Sequence, residues 1–360
     1  MSNIEKVSIG DFVKSYKITN QSVEVFRSRG FSDCLLEKLE DIKNKEITGK
    51  QNFINMIEKI LQGEDDIYSK KELILNEAGF VKRIINSFNR KTLNIKRKLV
   101  YILLKIKNRD GFYLKDIQGS KMLLNIGDKG ISNELLFNDI REVAATKYMY
   151  NVAKKGDIIL DIGANIGYYA LLESRLVGDK GKVYAIEPEP RNIDLLKRNV
   201  SINDYKNIEI FHSAVGDKNG TEKLYVSSKS NWHSMVTFDE QGTEETIDVN
   251  ILTVDTFLKD KEYPALIRMD VEGYEYNIIK GMKDTLTKEK PLKLFIEIHP
   301  QIMKEVDVVF LLTTLKQNNF EVAMVAKRNM SYNYNLDYLL HNKAILNGSR
   351  GAFQIYFERE

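Results

Sequence analysis

The chain contains little cysteine and little proline. Cys34 is the single cysteine among 360 residues. One thiol cannot close an intrachain disulfide or build a cysteine-rich zinc site, so we expect a reducing compartment. The first of the five prolines is Pro188. The preceding half of the chain is therefore free of the residue that most strongly interrupts helices.

Long apolar runs and a strong net charge are also missing. The chain opens MSNIEKVSIGDF, which does not resemble a signal peptide, and the apolar run 99–104 is too short to cross a bilayer. We therefore expect a cytoplasmic protein with no membrane span. The formal charge is +3, from 54 basic and 51 acidic residues. The overall composition therefore does not indicate a polyanionic partner.

The charge is nevertheless unevenly distributed. Residues 78–109 contain ten lysines and arginines and no acidic residue. Such a segment can contact the phosphates of a nucleic acid, or it can be the solvated surface of a helix. We favour the solvated surface and keep RNA binding as the alternative.

The first 105 residues are predicted to be mainly helical. Apolar residues recur three and four positions apart in the segments 23–42, 53–61 and 72–88. We interpret residues 1–105 as an accessory domain or cap, and residues 106–360 as the domain that carries the chemistry. The second domain is predicted to begin with a β-hairpin over 111–127, bent at Gln118-Gly119-Ser120, and a helix over 133–154.

Strands and helices then alternate along the chain. Strands are predicted at 158–161, 182–186, 208–212, 266–270 and 292–297, and helices at 168–176, 191–203, 274–286 and 306–318. This order predicts a doubly wound, mostly parallel α/β sheet. The segment 223–252 is interpreted as an insertion of extra strands. The runs 320–326 and 352–358 are predicted to form a closing antiparallel hairpin at one edge of the sheet.

A glycine turn follows the first strand of this sheet. The strand ends in Asp161, and Gly163 and Gly167 then precede an apolar helix, an arrangement typical of nucleotide-type cofactor sites. Asn165 occupies the position of the second glycine in the dinucleotide fingerprint, and Asp161 would repel a pyrophosphate. The same carboxylate suits the sulfonium and ammonium groups of S-adenosylmethionine, so an NAD-dependent dehydrogenase is a poorer alternative.

The second strand ends in Glu187. A carboxylate at this position and distance accepts hydrogen bonds from both ribose hydroxyls of a bound nucleotide. Because NAD uses a similar residue, Glu187 agrees with either cofactor and does not discriminate between them.

Five segments in order resemble the FkbM-type methyltransferases. They are DIGANIG at 161–167, EP at 187–188, AVGD at 214–217, DVEG at 270–273 and EIHP at 297–300. The resemblance covers roughly 111–300, more weakly the remainder, and not 1–105. It implies a class I, Rossmann-like methyltransferase fold with a seven-stranded sheet, and S-adenosylmethionine as cofactor.

The resemblance also assigns roles to particular residues. The methionine part of the cofactor would be held by Asp161, Gly163, Ala164, Asn165 and Gly167. The ribose would lie against Glu187, and the adenine against Ser213 and Ala214. Asp270 ends the fourth strand at the same edge of the sheet and would be a further cofactor ligand.

An alcohol that accepts a methyl group must lose its proton near the transition state. The candidates at the strand ends are Asp270, Glu272 and His299, and His233 in the insertion is a fourth. Each also permits a structural role: Asp270 could cap a helix, Glu272 could bind turn amides, and His299 could be a buried hydrogen-bonding group. Asp270, Glu272, Glu297 and His299 are also metal-ligating types, but their spacing defines no coordination sphere, and no metal is assigned.

The sequence therefore predicts an S-adenosylmethionine-dependent methyltransferase. The leading hypothesis is O-methylation of a hydroxyl on a small molecule or glycan, with residues 1–105 covering the site or mediating oligomerisation. The second hypothesis is an RNA methyltransferase that uses the basic segment 78–109. The third is a non-catalytic scaffold that retains the cofactor fold.

Overall fold

The computed structural model describes Tyr101, Leu104, Asn108 and residues 110–236, 245–327, 330–347 and 351–360. The helical segments predicted within 1–105, and nearly all of the basic run 78–109, lie outside these residues. The domain boundary near residue 105 therefore stays a prediction. Within the described ranges, no helix combines the length and the apolar character that crossing a membrane requires.

A hairpin and two helices precede the main sheet. β1 (Phe112–Ile117) pairs antiparallel with β2 (Ser120–Asn125), as predicted. The helix expected over 133–154 is instead two helices, α1 (Ile131–Phe137) and α2 (Val143–Val152). The break has a local cause, because Glu142 adopts a left-handed conformation with φ +49° immediately before α2.

The remaining elements alternate as expected. The strands are β3 (Ile158–Ile162), β4 (Lys182–Glu187), β5 (Ile208–His212), β6 (Ala214–Val215), β7 (Gly220–Tyr225), β8 (Thr246–Leu252), β9 (Leu266–Met269), β10 (Leu292–Ile298), β11 (Glu321–Lys327), β12 (Met330–Tyr332) and β13 (Phe353–Arg359). The helices are α3 (Tyr168–Val177), α4 (Pro190–Ile202), α5 (Val254–Phe257), α6 (Glu275–Lys280), α7 (Lys283–Thr287), α8 (Glu305–Gln317), α9 (Leu336–His341) and α10 (Lys343–Leu346).

The main sheet has the order β12-β11-β13-β10-β9-β3-β4-β5. Within this order, the five adjacent strands β10, β9, β3, β4 and β5 run parallel to one another. β13 is antiparallel to both of its neighbours, β10 and β11. The expected seven strands are thus present, and the short β12 adds an eighth. The predicted antiparallel pairing of the last two runs is confirmed, because β11 pairs with β13. Their place is corrected: β13 lies between β10 and β11, β12 forms the edge, and α9 and α10 lie in the connection.

The insertion forms a separate three-stranded sheet of order β6-β8-β7. Its strands β7 and β8 pair antiparallel, which agrees with the extra strands predicted for this segment. Leu224, Val249 and Ile251 of this sheet form a small buried cluster with Tyr274. The insertion is therefore packed beside the loop that follows β9.

Helices cover both faces of the main sheet because its central strands are apolar on both faces. Leu160 and Ile162 of β3 pack in one buried cluster with residues of α6 and α8. Ile159 of the same strand packs in the other cluster, with residues of α2 and α3. Since these strands run parallel, the loops after β3, β4, β9 and β10 meet at a single edge of the sheet, where open α/β sheets bind their ligands.

Candidate active site

A cleft of about 750 Å³, counted out to open solvent, lies at the carboxyl ends of these strands. Nine of the residues predicted for the site line it: Gly163, Ala164, Asn165, Glu187, Ser213, Ala214, His233, Asp270 and Glu272. Asp161, Gly167 and His299, also predicted for the site, are not among the described residues that line the cleft.

The turn after β3 is fixed by its backbone. The amides of Gly163 and Ala164 both donate to the carbonyl of Ile186, at 2.9 and 3.0 Å. Gly163 has φ +82°, and a Cβ on it would lie 2.0 Å from the carbonyl oxygen of Asp270. Only glycine allows this approach. The turn is therefore held against the end of β9.

Asn165 continues the turn in a left-handed conformation with φ +51°. Its side-chain oxygen accepts from the amide of Ile166 at 2.8 Å, a local bond that helps asparagine to adopt this conformation. Its backbone amide donates to Glu187 at 2.9 Å. The predicted loop residue and the predicted ribose ligand are thus in direct contact.

Glu187 is a buried carboxylate in the cleft wall, with 4% of its surface exposed. It also accepts from the amide of Glu189 at 3.0 Å. Burial raises the pKa of Glu187 to about 7, against the opposing effect of the amides that donate to it. Its Oε1 also accepts from the side-chain amide of Asn192 at 3.3 Å, so Oε2, which accepts from Asn165, keeps a lone pair for a hydrogen bond from a ligand.

Asp161 is completely buried and does not face the cleft. Its Oδ1 accepts from Nη1 of Arg268 at 2.8 Å, and Nη2 of the same guanidinium donates to Asp270 at 3.0 Å. Burial raises the pKa of Asp161, and the charge of Arg268 opposes that rise. Because its side chain is fully buried and does not line the cleft, the predicted direct contact of Asp161 with the sulfonium or ammonium group has no support in this geometry.

His299 lies at the centre of a group of carboxylates. Its Nδ1 is 2.8 Å from Glu275, its Nε2 is 3.2 Å from Glu272 and its Nε2 is 3.8 Å from Glu297. Burial raises the pKa of Glu272 to about 7, and the charge of His299 opposes that rise. The surrounding carboxylates raise the pKa of His299 well above its usual range, overcoming the effect of burial. Of this group, Glu272 lines the cleft.

Sequence reasoning missed two arginines in the cleft wall. Arg141, in the break between α1 and α2, pairs with Glu142 at 2.8 Å. Arg268 lies within the buried strand β9. An arginine inside an apolar strand indicates a buried ion pair, so the sequence did contain a signal for Arg268. Arg141 carried no comparable signal, because it lies in a loop.

The insertion contributes a segment, residues 227–236, that borders the cleft. The carbonyl of Ser230 accepts from the side-chain amides of Asn165 and Asn192, at 2.8 and 2.9 Å. The Ser230 hydroxyl donates to Asp128 at 2.7 Å. His233 also lines the cleft, and burial lowers its pKa, which favours the neutral imidazole.

These residues fit S-adenosylmethionine. Glu187 offers a fixed carboxylate where a ribose diol can donate to it. Asp270 places a further carboxylate on the cleft wall next to the glycine turn, where it can attract a cationic group of the cofactor.

Comparisons with known proteins agree on a methyltransferase. A model of the methyltransferase FkbM domain matches residues 161–322, and a model of the protein-L-isoaspartate(D-aspartate) O-methyltransferase family matches 82–223. The chain is 26% identical to hexuronic acid methyltransferase AglP of Haloferax volcanii, over 49% of this chain and 71% of the relative. It is 30% identical to a probable cobalt-precorrin-6B C(15)-methyltransferase of Saccharolobus solfataricus, over 40% of this chain and 76% of the relative.

Solved structures give a weaker comparison. A SAM-dependent methyltransferase from Aquifex aeolicus is 15% identical, over 61% of this chain and 89% of that chain, with a TM-score of 0.33. A likeness of this size carries no argument about function. The family models, the curated relatives and the ordered motifs do, and they agree with one another. The chain belongs to the S-adenosylmethionine-dependent methyltransferases, and its residues 161–322 match the FkbM domain.

Proposed function

We propose that this methyltransferase transfers the methyl group to a hydroxyl of a small molecule or glycan. The observation that carries the proposal is the placement of Glu272. Its carboxylate lines the cleft, 15% of its side chain is exposed, and it lies 3.2 Å from Nε2 of His299. A hydroxyl is a poor nucleophile until its proton is removed, and a held carboxylate at the cleft wall supplies the acceptor for that proton.

The backbone of Glu272 is fixed as well as its side chain. Glu272 has φ +51°, and its carbonyl accepts from the hydroxyl of Ser234 at 2.7 Å. Ser234 belongs to the segment 227–236 at the border of the cleft. We infer that an acceptor lies between this segment and the strand ends, where Glu272 can reach its hydroxyl.

The proposed step is the transfer of a methyl group from sulfur to oxygen. The bound cofactor supplies a methyl group whose bond to the positively charged sulfur is ready to break. The acceptor oxygen forms a bond to that methyl carbon, and the carbon–sulfur electron pair stays on sulfur. The hydroxyl proton passes to Glu272. The protein's main contribution is to align the two reactants, with Glu187 holding the ribose and the turn 163–165 and Asp270 holding the methionine part.

The relatives support this acceptor class without deciding it. One relative is described as a hexuronic acid methyltransferase, which places a sugar acid among the acceptors of similar chains. Others are described as a cobalt-precorrin methyltransferase and an isoaspartate O-methyltransferase, so carbon and carboxylate acceptors occur among similar chains too. The experiment must therefore distinguish a methyl ether from a methyl ester and from a carbon–methyl bond.

The test uses the full chain and S-adenosylmethionine with an isotopically labelled methyl group. Cell extract is divided into metabolite, glycan, RNA and protein fractions, and each is offered as acceptor. We expect label in the metabolite or glycan fraction, in a product that survives mild alkali and releases the label under ether-cleaving acid. A methyl ester would release methanol in alkali, and a carbon-bound methyl group would survive both treatments.

Three results would contradict the proposal. They are label confined to RNA, label confined to protein, and a metabolite product that is an ester or carries a carbon-bound methyl group. A variant with Glu187→Ala serves as the control, because a reaction that depends on the bound cofactor should fall sharply when the ribose ligand is removed.

A further inference from the structure

We propose that Asp270, Glu297 and His299 form a binding site for one divalent metal ion at the carboxyl ends of β9 and β10. One ligand atom from each of these side chains lies within 4.8 Å of the other two. In Mg²⁺ and Ca²⁺ sites the metal–oxygen distances are about 2.0–2.6 Å, so ligands opposite one another are about 4–5 Å apart. The three side chains can therefore reach a shared ion with small shifts.

The orientation of His299 fits a ligand role. Its Nδ1 lies 2.8 Å from Glu275, whose side chain is fully buried and also accepts from the amide of Gly273 at 3.2 Å. This contact directs the opposite nitrogen, Nε2, towards Glu272 and Glu297. A histidine that ligates a metal commonly donates its other ring N–H to a carboxylate, which fixes the ring and its tautomer.

The charge around the site is unbalanced in a way that a cation would correct. Four carboxylates are gathered here with side chains no more than 15% exposed: Asp270, Glu272, Glu275 and Glu297. The nearby cations are Arg268, which is shared with Asp161, Arg141, which pairs with Glu142, and His299, whose Nε2 proton a bound ion would displace. One buried oxygen of Glu275 has no hydrogen-bond partner within the part of the chain that the structure describes. Buried carboxylates in excess of their counter-charges are costly, and a divalent ion lowers that cost.

The site lies beside the proposed proton acceptor. Asp270 lines the cleft together with Glu272, and three protein ligands leave further coordination positions open. An acceptor hydroxyl that occupied one of these positions would lose its proton to Glu272 more easily, because the metal stabilises the resulting alkoxide. This role rests on the proposed O-methylation, whereas the existence of the metal site does not.

Binding of Mn²⁺ to the full chain tests the site. The protein is first freed of metal with a chelator, and free Mn²⁺ is then measured by electron paramagnetic resonance during a titration without cofactor or acceptor. We expect one saturable Mn²⁺ per chain. Glu297→Gln and His299→Ala should each weaken its affinity by about tenfold or more, because each removes one ligand. Asp217→Asn removes a carboxylate that pairs with Lys280 outside the site, and should leave the affinity unchanged.

The proposal is overturned if the wild type shows no stoichiometric Mn²⁺ binding, or if both ligand variants bind like the wild type. Calorimetry with S-adenosylmethionine confirms that each variant is folded. Should His299→Ala fail that check, Glu297→Gln alone decides, since glutamine nearly preserves the shape of the side chain. Because no methyl transfer is measured, failure of the metal site leaves O-methylation untouched. Conversely, Mn²⁺ binding with no ether product would remove O-methylation and keep the site.

Discussion

Arg268 and Asp161 form a buried salt bridge between two adjacent parallel strands. They are register partners in β9 and β3, Nη1 lies 2.8 Å from Oδ1, and the two side chains are 4% and 0% exposed. The same guanidinium holds Asp270 and lies 4.0 Å from the ring of Tyr169. This arrangement fixes the floor of the site from within the sheet.

We expect Arg268→Met to destabilise the protein strongly. The change leaves Asp161 and Asp270 without their cation, and removing one partner of a buried pair typically costs about 3–5 kcal/mol of unfolding free energy. Equilibrium unfolding in urea, followed by circular dichroism, measures the change. The control is Lys223→Met, which removes a pair with Asp248 whose side chains are both more than half exposed. Equal stability of the two variants would contradict a structural role for the buried pair.

The sequence predicted the strand-end residues of the site because a parallel sheet brings the ends of its strands together. Gly163, Glu187 and Asp270 follow three different strands and all line the cleft. Asp161 lies in the predicted strand, but the burial of its side chain against Arg268 was not predicted. Its partner Arg268 lies 107 residues away, and the pairing depends on β9 lying next to β3, an order that no local pattern specifies.

Contacts between distant segments could not be predicted from the sequence for a similar reason. Ser230 connects the insertion to Asn165, Asn192 and Asp128, and each of these contacts joins segments far apart in the sequence. Nothing in the local pattern around Ser230 distinguishes it from a solvated loop residue. Its importance follows from the fold, because the insertion packs beside the end of β9.

Gly163 and Gly156 offer a matched comparison of backbone strain and steric contact. Both have positive φ, +82° and +87°, but an added Cβ would meet the Asp270 carbonyl at Gly163 and no atom within 4 Å at Gly156. Alanine should cost about 1–2 kcal/mol at either position through the left-handed conformation. At Gly163 we expect about 1–3 kcal/mol more from the overlap.

Urea unfolding of the two alanine variants measures this difference, and calorimetry measures cofactor affinity. Gly163→Ala should also weaken S-adenosylmethionine binding, because the turn or Asp270 must move to relieve the overlap. Gly156→Ala should bind the cofactor normally. If the two variants lose equal stability, the close approach of the turn to β9 is not a constraint on the fold.

The titration of Glu187 should make cofactor binding depend on pH. Burial raises its pKa to about 7, so the neutral acid is present below that pH and the carboxylate above it. The carboxylate accepts the stronger hydrogen bonds from ribose hydroxyls, because bonds to charged groups exceed neutral ones by roughly 1 kcal/mol. Affinity for S-adenosylmethionine should therefore rise between about pH 6 and pH 8, by several-fold to about tenfold, and level off above that range.

Calorimetric titrations from pH 5.5 to pH 9 measure this profile. Glu187→Gln is the control: glutamine keeps the side chain's size, cannot ionise in this range, and should bind more weakly with a flatter profile. A wild-type profile that matched that of Glu187→Gln would show that the titration of Glu187 does not govern binding.

The proposed proton acceptor is tested by Glu272→Gln. If Glu272 takes the hydroxyl proton, its removal should lower kcat by about 10²–10⁴-fold, the usual contribution of general base catalysis. The Kd for S-adenosylmethionine should change little, because glutamine preserves the shape of the wall.

Single-turnover measurements of the labelled ether product isolate the chemical step from product release. Asp217→Asn again supplies a carboxylate change outside the cleft and should keep the wild-type rate. A kcat for Glu272→Gln within threefold of wild type, with the ether product unchanged, would assign proton removal to another group, and Asp270 and His233 are the other candidate bases among the described residues that line the cleft.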